Sequence, residues 1–277
     1  MIAAFYKYGR LGNRLFVFSN LVAFSELYSV PLLVPAFDEY RANFAALEGG
    51  HSCRYGFAAD PAARVPSLPL IRAGARLGLV PTVRFWEKRE VYFDAEDSSD
   101  PRVQKMREAS AVVFEGWNFR SRRAISDFRP RIRALFAPTS GISAGVQRRM
   151  AEMRKRGDVL VGVHIRWGDY RGTDWYFELS EYVQRMDELR ALLRPSNPVF
   201  LVFSPESIPG GGLAEDCVVC SGKDPVEDMY CLAECDYLVG PPSTFSMWAS
   251  YYGGRPLFVM AKGRRFSELS DARVATP

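Results

Sequence analysis

The chain has 277 residues, with 36 Lys and Arg against 32 Asp and Glu, a formal net charge of +4. Hydrophobic residues make up 48% and charged residues 25%, ordinary globular proportions that exclude a disordered chain, a collagen-like chain and a coiled coil. The length suggests two domains or one large one, and so small a surplus neither demands nucleic acid nor excludes a focused anion pocket.

No uncharged apolar run reaches the roughly 18 residues of a membrane span. The richest stretch, 15–24, holds Ser19 and Asn20 and stops at Ser25 and Glu26. The opening MIAAFYKYGR lacks a basic region followed by a long apolar one, so no secretory signal is expected. Five cysteines are few and odd in number, which fits a reducing cytoplasm better than a disulfide framework. Cys217, Cys220, Cys231 and Cys235 have a spacing that superficially suits zinc. Cys217 and Cys220 fall three apart on an expected strand, however, and so point to opposite faces. Buried structural cysteines are the reading that fits.

In chain order, residues 2–7 read as a first strand, followed by a turn at 9–13 and a helix to about residue 28. Leu11, Leu15, Phe18 and Val22 keep the spacing of one helical face. Residues 31–35 suggest a second strand bracketed by prolines. Residues 37–110 read as loops and short helices, and 111–115 as a buried strand. A basic surface helix is expected over 142–156, with Gly157 as its stop signal. Strands at 159–164, 199–204, 217–220, 236–240 and 256–260 then alternate with helices at 178–193, from 224 and from 243. Asp224-Pro225 offers a cap and a first-turn proline. Such alternation implies an α/β fold with parallel sheets. The expected division is two Rossmann-like domains, 1–150 and 151–277, the second the clearer.

Four clusters carry chemistry. Val161-Gly162-Val163-His164-Ile165-Arg166-Trp167-Gly168-Asp169-Tyr170 runs from a buried strand into a polar loop. Ligands of open α/β sheets bind beyond such strand ends, and Arg pairs bidentately with phosphate. Histidine is scarce, only His51 and His164. An Arg166–Asp169 surface ion pair is the plainer reading. Gly240-Pro241-Pro242-Ser243-Thr244-Phe245 passes from a strand into a helix start, where free N–H groups and hydroxyls make an anion cradle. Simple capping by Ser243 explains the same residues. Tyr8-Gly9-Arg10-Leu11-Gly12-Asn13-Arg14 is a glycine turn between strand and helix, without the spacing of a GxGxxG or P-loop motif. Asp224, Glu227 and Asp228 surround one helix start. They suit its dipole, or a carboxylate contact to a guanine edge or a ribose hydroxyl.

Taken together, these clusters resemble the bacterial α-1,2-fucosyltransferase family, within the wider GDP-fucose-dependent superfamily. Gly9 to Arg14 is similar to that family's G-x-L-G-N-Q turn, with Arg14 in place of Gln. His164 to Tyr170 resembles H-I-R-R-G-D-Y, with Trp167 in place of the second Arg. Phe200 to Pro205 resembles its F-x-x-F-S-D/P strand. Glu227-Asp228-Met229 and Pro242 to Trp248 resemble its closing motifs, and Phe114 to Trp117 is weakly similar to an aromatic–glycine segment.

The resemblance implies two Rossmann-like domains facing a cleft, of GT-B type. The second would hold GDP-fucose and the first a galactose-containing or lipid-linked glycan acceptor. It implies donor contacts from Arg10, Gly12, Asn13, His164, Arg166, Asp228, Ser243, Thr244 and Phe245, and no metal or other cofactor. Arg166 would stabilise the departing diphosphate, and Asp169 is the candidate general base. Trp117, Trp175 and Tyr176 could stack on acceptor sugars. Arg14 is expected to compensate in part for the cation lost at Trp167. The reaction implied is inverting fucosyl transfer to a galactoside in surface-glycan synthesis. A different donor or linkage, or a non-catalytic nucleotide- or glycan-binding homologue, is the alternative. Nucleic acid is not an expected partner. The Arg-rich stretch 120–133 reads as a solvated face, or as one touching an anionic membrane.

Overall fold

The computed structural model describes residues 1–49, 53–56, 67–86, 93–94, 96, 99–121, 123–209, 212–220 and 224–277; His51 and Arg122 lie outside them. Contacts divide the chain into two units, Met1–Thr139 with Pro277, and Ser140–Thr276.

In the first unit β1 (Ile2–Ala4) leads through α1 (Leu11–Tyr28) to β2 (Leu32–Leu33) and β3 (Arg54–Tyr55). Then come α2 (Leu68–Arg76), β4 (Thr82–Phe85), β5 (Phe93–Asp94), α3 (Pro101–Glu108) and β6 (Val112–Gly116). β7 (Phe119–Arg120), α4 (Ala124–Asp127) and α5 (Arg129–Leu135) complete it. The sheet order is β3-β2-β1-β6-β4, parallel except for β3. Leu11, Leu15, Phe18 and Val22 are all buried, as their helical spacing requires. The segment 37–110 is more regular than expected. It contributes β4 at the sheet edge, paired from Thr82↔Val113 to Phe85↔Gly116, and two helices. In the Arg-rich stretch Arg123, Arg131 and Arg133 are exposed, as a solvated face requires, but Arg120 is buried, its guanidinium 4.7 Å from the Trp117 ring and donating to the Phe119 carbonyl at 2.8 Å.

The second unit runs α6 (Ser140–Arg154), β8 (Val159–His164), α7 (Leu179–Leu192), β9 (Pro198–Phe203) and β10 (Cys217–Val219). It ends with α8 (Pro225–Ala233), β11 (Tyr237–Gly240), α9 (Thr244–Gly253) and β12 (Leu257–Val259). All five strands are parallel, in the order β10-β9-β8-β11-β12. The unit begins at Ser140, the first residue of α6. Side chains explain this, because Arg149 and Arg154 of α6 are ion-paired to Glu227, Asp228 and Asp236 of the second unit. Gly157 is not a left-handed helix stop. A Cβ there would meet the Asn197 carbonyl oxygen, so the residue serves a close backbone approach.

The centre of this unit follows from strand alternation. Val161, Val163 and Ile165 share an apolar cluster with Tyr182, Met186 and Leu189 of α7. A Cβ on Gly162, on the opposite face, would press on Leu232 of α8 at 2.7 Å. The two-residue period carries on into Trp167, which is 7% exposed within the α7-side cluster and donates from Nε1 to the Phe177 carbonyl at 2.9 Å. Trp167 is therefore a core residue. Its replacement by Ala is expected to lower the unfolding free energy by about 3–5 kcal/mol, read from the urea midpoint. A loss under about 1 kcal/mol would sink the core assignment.

Candidate functional site

The second sheet changes direction between β8 and β11, since β8 leads outward to β9 and β10 while β11 and β12 lie on its other side. Ligands of open parallel sheets bind beyond the strand ends at such a switch point. β8 ends there at His164 and β11 at Gly240. A Cβ on Gly240 would lie 3.1 Å from the His164 oxygen and 3.3 Å from its Cβ, so glycine lets the two strand ends close on each other.

His164 is 3% exposed, and its ring lies 4.9 Å from that of Phe245 in the first turn of α9. Its Nδ1 is buried without a hydrogen-bond partner among the described residues, which is costly unless a ligand completes it. Burial, with the positive charge of Arg166 second, holds its pKa down to about 3, so the imidazole is neutral. Ser243 caps α9, accepting from the Phe245 N–H at 3.4 Å. The capping expected of Ser243 and Asp224 is observed for both. The N–H groups of the α9 start face outward as in any helix first turn, beside Thr244 and Phe245.

Beyond β8 the chain makes a short turn over Gly168–Tyr170. Asp169 accepts from Arg166 in bidentate fashion, Nε to Oδ1 at 3.0 Å and Nη2 to Oδ2 at 2.8 Å. The guanidinium sits 5.0 Å from the Tyr170 ring. The Tyr170 hydroxyl donates to the Pro242 carbonyl at 3.2 Å, which ties the Arg166 loop to the entry of α9. Two further anchors were not apparent from the sequence. Glu206 accepts from the Gly168 N–H at 2.8 Å, and the Tyr182 hydroxyl accepts from the Arg166 N–H at 3.4 Å.

Asp228 is buried in α8 and accepts from Arg149 at 3.1 Å, while Glu227 accepts from the same guanidinium at 2.9 Å. Arg149 also donates to the Cys220 carbonyl. Arg149 was missed because a lone cation on a basic helix has no local signature. Its partners lie about eighty residues on.

The structure thus brings His164, Arg166, Asp169, Ser243, Thr244 and Phe245 to one edge of one sheet. Arg10, Gly12 and Asn13 belong to the first unit. Arg10 is exposed and precedes α1. Gly9 has φ +57°, the left-handed conformation that the turn needs. Arg14 is committed within that unit. It pairs with Glu39 at 2.7 Å, donates to the Gly9 and Ala36 carbonyls, and lies 5.1 Å from the Tyr40 ring. With Trp167 in the core, the expected compensation between these two residues has no footing. Trp117 stacks on Phe16 at 6.4 Å beneath Arg120. Trp175 is exposed beside Tyr170 at 5.6 Å, and Tyr176 packs against the apolar cluster of the second unit.

Among the described residues, no three His, Cys, Asp or Glu side chains are placed to share a metal ion. The five cysteines are free, and burial raises the pKa of each. No described helix is long and apolar enough to cross a membrane.

Residues 139–268 match the model of glycosyl transferase family 11. No curated protein matches the sequence. The fold is similar to that of the fucosyltransferase NodZ from Bradyrhizobium, at TM-score 0.58 and 14% identity over 96% of each chain. It is also similar to NodZ alpha-1,6-fucosyltransferase soaked with GDP-fucose, at 0.56 and 15% over 96% of this chain and 97% of that one. A mutant of Arabidopsis thaliana FUT1 in complex with GDP matches at 0.53 and 14%, over 98% of this chain and 73% of that one.

The state of His164 sets a pH dependence. Its ordinary value is 6.5 and its folded value about 3. Between those values the unfolded chain binds the proton and the native chain does not, so stability falls as pH drops through that window. From pH 7 to pH 5 the loss expected from this group is about 2 kcal/mol. Urea denaturation should show that slope above the carboxylate range, and His164→Gln should flatten it. An unchanged slope in the variant would place its origin elsewhere.

Proposed function

We propose that this protein is an inverting fucosyltransferase that moves L-fucose from GDP-fucose to a galactoside hydroxyl, in an α-1,2 linkage, for surface-glycan synthesis. The second unit holds the donor and the first the acceptor. One observation carries the reading. The stretch that matches a glycosyltransferase family places a neutral His with an unsatisfied Nδ1, an Arg and a capped helix start at a single switch point. The ligands of the similar structures, GDP and GDP-fucose, agree with an anionic nucleotide ligand for such a site.

In the reaction the bond from fucose C1 to the diphosphate oxygen breaks, the acceptor oxygen bonds to C1, and the acceptor's hydroxyl proton passes to a general base or to the departing GDP. Negative charge grows on the diphosphate, and donors aimed at that charge favour the transition state over the ground state. Arg166 is the side-chain cation for this task, and the α9 start supplies backbone N–H groups. Neutral His164 offers hydrogen bonding to the diphosphate or ribose. Asp228, held by Arg149, is assigned to the nucleoside. These groups carry the leaving charge without a metal ion. The bidentate geometry favours Asp169 as the residue that orients Arg166, ahead of its role as general base.

Incubation with GDP-fucose and a galactoside panel, followed by NMR assignment of the product linkage, tests the reading. GDP-mannose and UDP-sugars run alongside it separate donors. Nucleotide binding without transfer would replace the enzyme by a binding protein. Arg166→Ala is expected to lower kcat by roughly 10²–10³, the loss typical of one transition-state donor. Near-wild-type turnover would remove Arg166 from the mechanism.

A further inference from the structure

We infer that Tyr6, Tyr8 and Trp86 form a stacking platform for a pyranose ring of a neutral saccharide, at the switch point of the first sheet. The inference takes its substrate class from the glycosyltransferase reading and its location from the first unit alone.

The first sheet reverses direction between β1 and β6, with β2 on one side and β4 on the other. The rule that places ligands beyond the strand ends applies here too. β1 runs on into Tyr6 and Tyr8, β4 into Trp86, and β6 ends at Gly116. The three rings form one cluster. Tyr6 and Tyr8 are stacked, with centroids 5.7 Å apart and planes 19° apart. Trp86 stands edge-on to both, at 4.8 Å from Tyr8 and 5.7 Å from Tyr6. Yet Tyr6 is 52% and Trp86 47% exposed. Large aromatic rings gathered in solvent mark a binding surface more often than a packing need.

The cluster is also pinned from beneath. The Tyr8 hydroxyl accepts from the Gly116 N–H at 2.8 Å, which spans the reversal from β1 to β6. A Cβ on Gly116 would lie 2.6 Å from the Phe85 Cβ, so glycine lets the ends of β4 and β6 approach. The N–H groups of Trp117 and Asn118 then both donate to the Phe85 carbonyl, at 3.1 and 3.3 Å. That fixes the backbone immediately before Trp86. A site whose rings are held before the ligand arrives loses less entropy on binding.

The chemistry selects the ligand. One face of a pyranose is rich in C–H and settles on the electron-rich face of a ring, while its hydroxyl rim needs polar neighbours. Two phenols and an indole supply both. Among the described charges beside the rings, Lys7 pairs with Glu39 at 2.6 Å and Arg84 with Glu115 at 2.9 Å. This favours a neutral sugar over a phosphate. Trp117, the acceptor ring expected from sequence in this unit, is instead occupied by Phe16 and Arg120.

The test uses the full chain with N-acetyllactosamine and lactose as probes, in saturation-transfer difference NMR. Trp86→Ala and Tyr6→Ala are compared with wild type and with Trp86→Phe, which keeps a ring. Far-UV circular dichroism and the urea midpoint verify folding. Each Ala variant should raise the saccharide Kd about tenfold with the midpoint unchanged, and Trp86→Phe should stay within about threefold of wild type. A wild-type chain that binds neither probe, or Ala variants that bind as wild type does, overturns the platform. The two readings fail separately. Saccharide binding lost in Trp86→Ala, in a chain that transfers no fucose, upholds the platform and ends the fucosyltransferase reading. Fucosyl transfer with acceptor KM unchanged in both Ala variants does the reverse.

Discussion

The absence of a side chain at Gly240 is the constraint on which the candidate donor site depends. It lets the end of β11 close on the backbone and Cβ of His164, and the pairing of β8 with β11 then carries everything beyond it. The Arg166 loop leaves one strand and α9 leaves the other, and the Tyr170–Pro242 hydrogen bond joins the two departures. A larger residue at 240 would separate the strand ends by a few tenths of an ångström or more. That is the scale on which hydrogen-bond recognition of an anion is decided.

This close approach also sets the electrostatics. His164 is packed against Phe245 beside β11, and burial holds its imidazole neutral. Arg166, two residues on, cannot lose its charge at all. One edge therefore offers a permanent cation beside a neutral hydrogen-bonding ring and a helix start. The cation is held in a planar fork by Asp169, so its orientation is set before any anion arrives. An incoming diphosphate would compete with Asp169, which is 57% exposed.

The second unit was legible because its signals are local. Apolar runs of four to six residues mark its central strands, and Asp224-Pro225 and Ser243 announce helices within one turn. His164 and Arg166 could be placed at a strand end from sequence alone. What was not legible depended on distant partners. Arg149 gains its meaning from Glu227 and Asp228, and Arg120 is buried only because Phe16 and Trp117 lie against it. β4 has four residues and becomes a strand by pairing with β6. Trp167 is a different kind of miss. Val161, Val163, Ile165 and Trp167 keep a period of two, so the core position was present in the pattern. The likeness to a motif with Arg at that position outweighed it.

The two sheets solve one topological problem with opposite chemistry. Each reverses direction beside its first strand, so each has a switch point with strand ends free to carry a ligand. At the reversal of the first sheet, cations are spent in ion pairs with Glu39 and Glu115, and the exposed groups are aromatic. At that of the second, Arg166 and a helix start are presented with Tyr170 and the exposed Trp175 beside them, while Trp167 and Tyr182 are withdrawn into the core. The net charge of +4 was uninformative because it averages over this separation. A transferase must hold a neutral acceptor and a charged leaving group without letting either site attract the other's ligand. In the proposed reading the oriented Arg166 marks the donor side and the exposed rings of Tyr6 and Trp86 the acceptor side, so the placement of charge matters more than its amount.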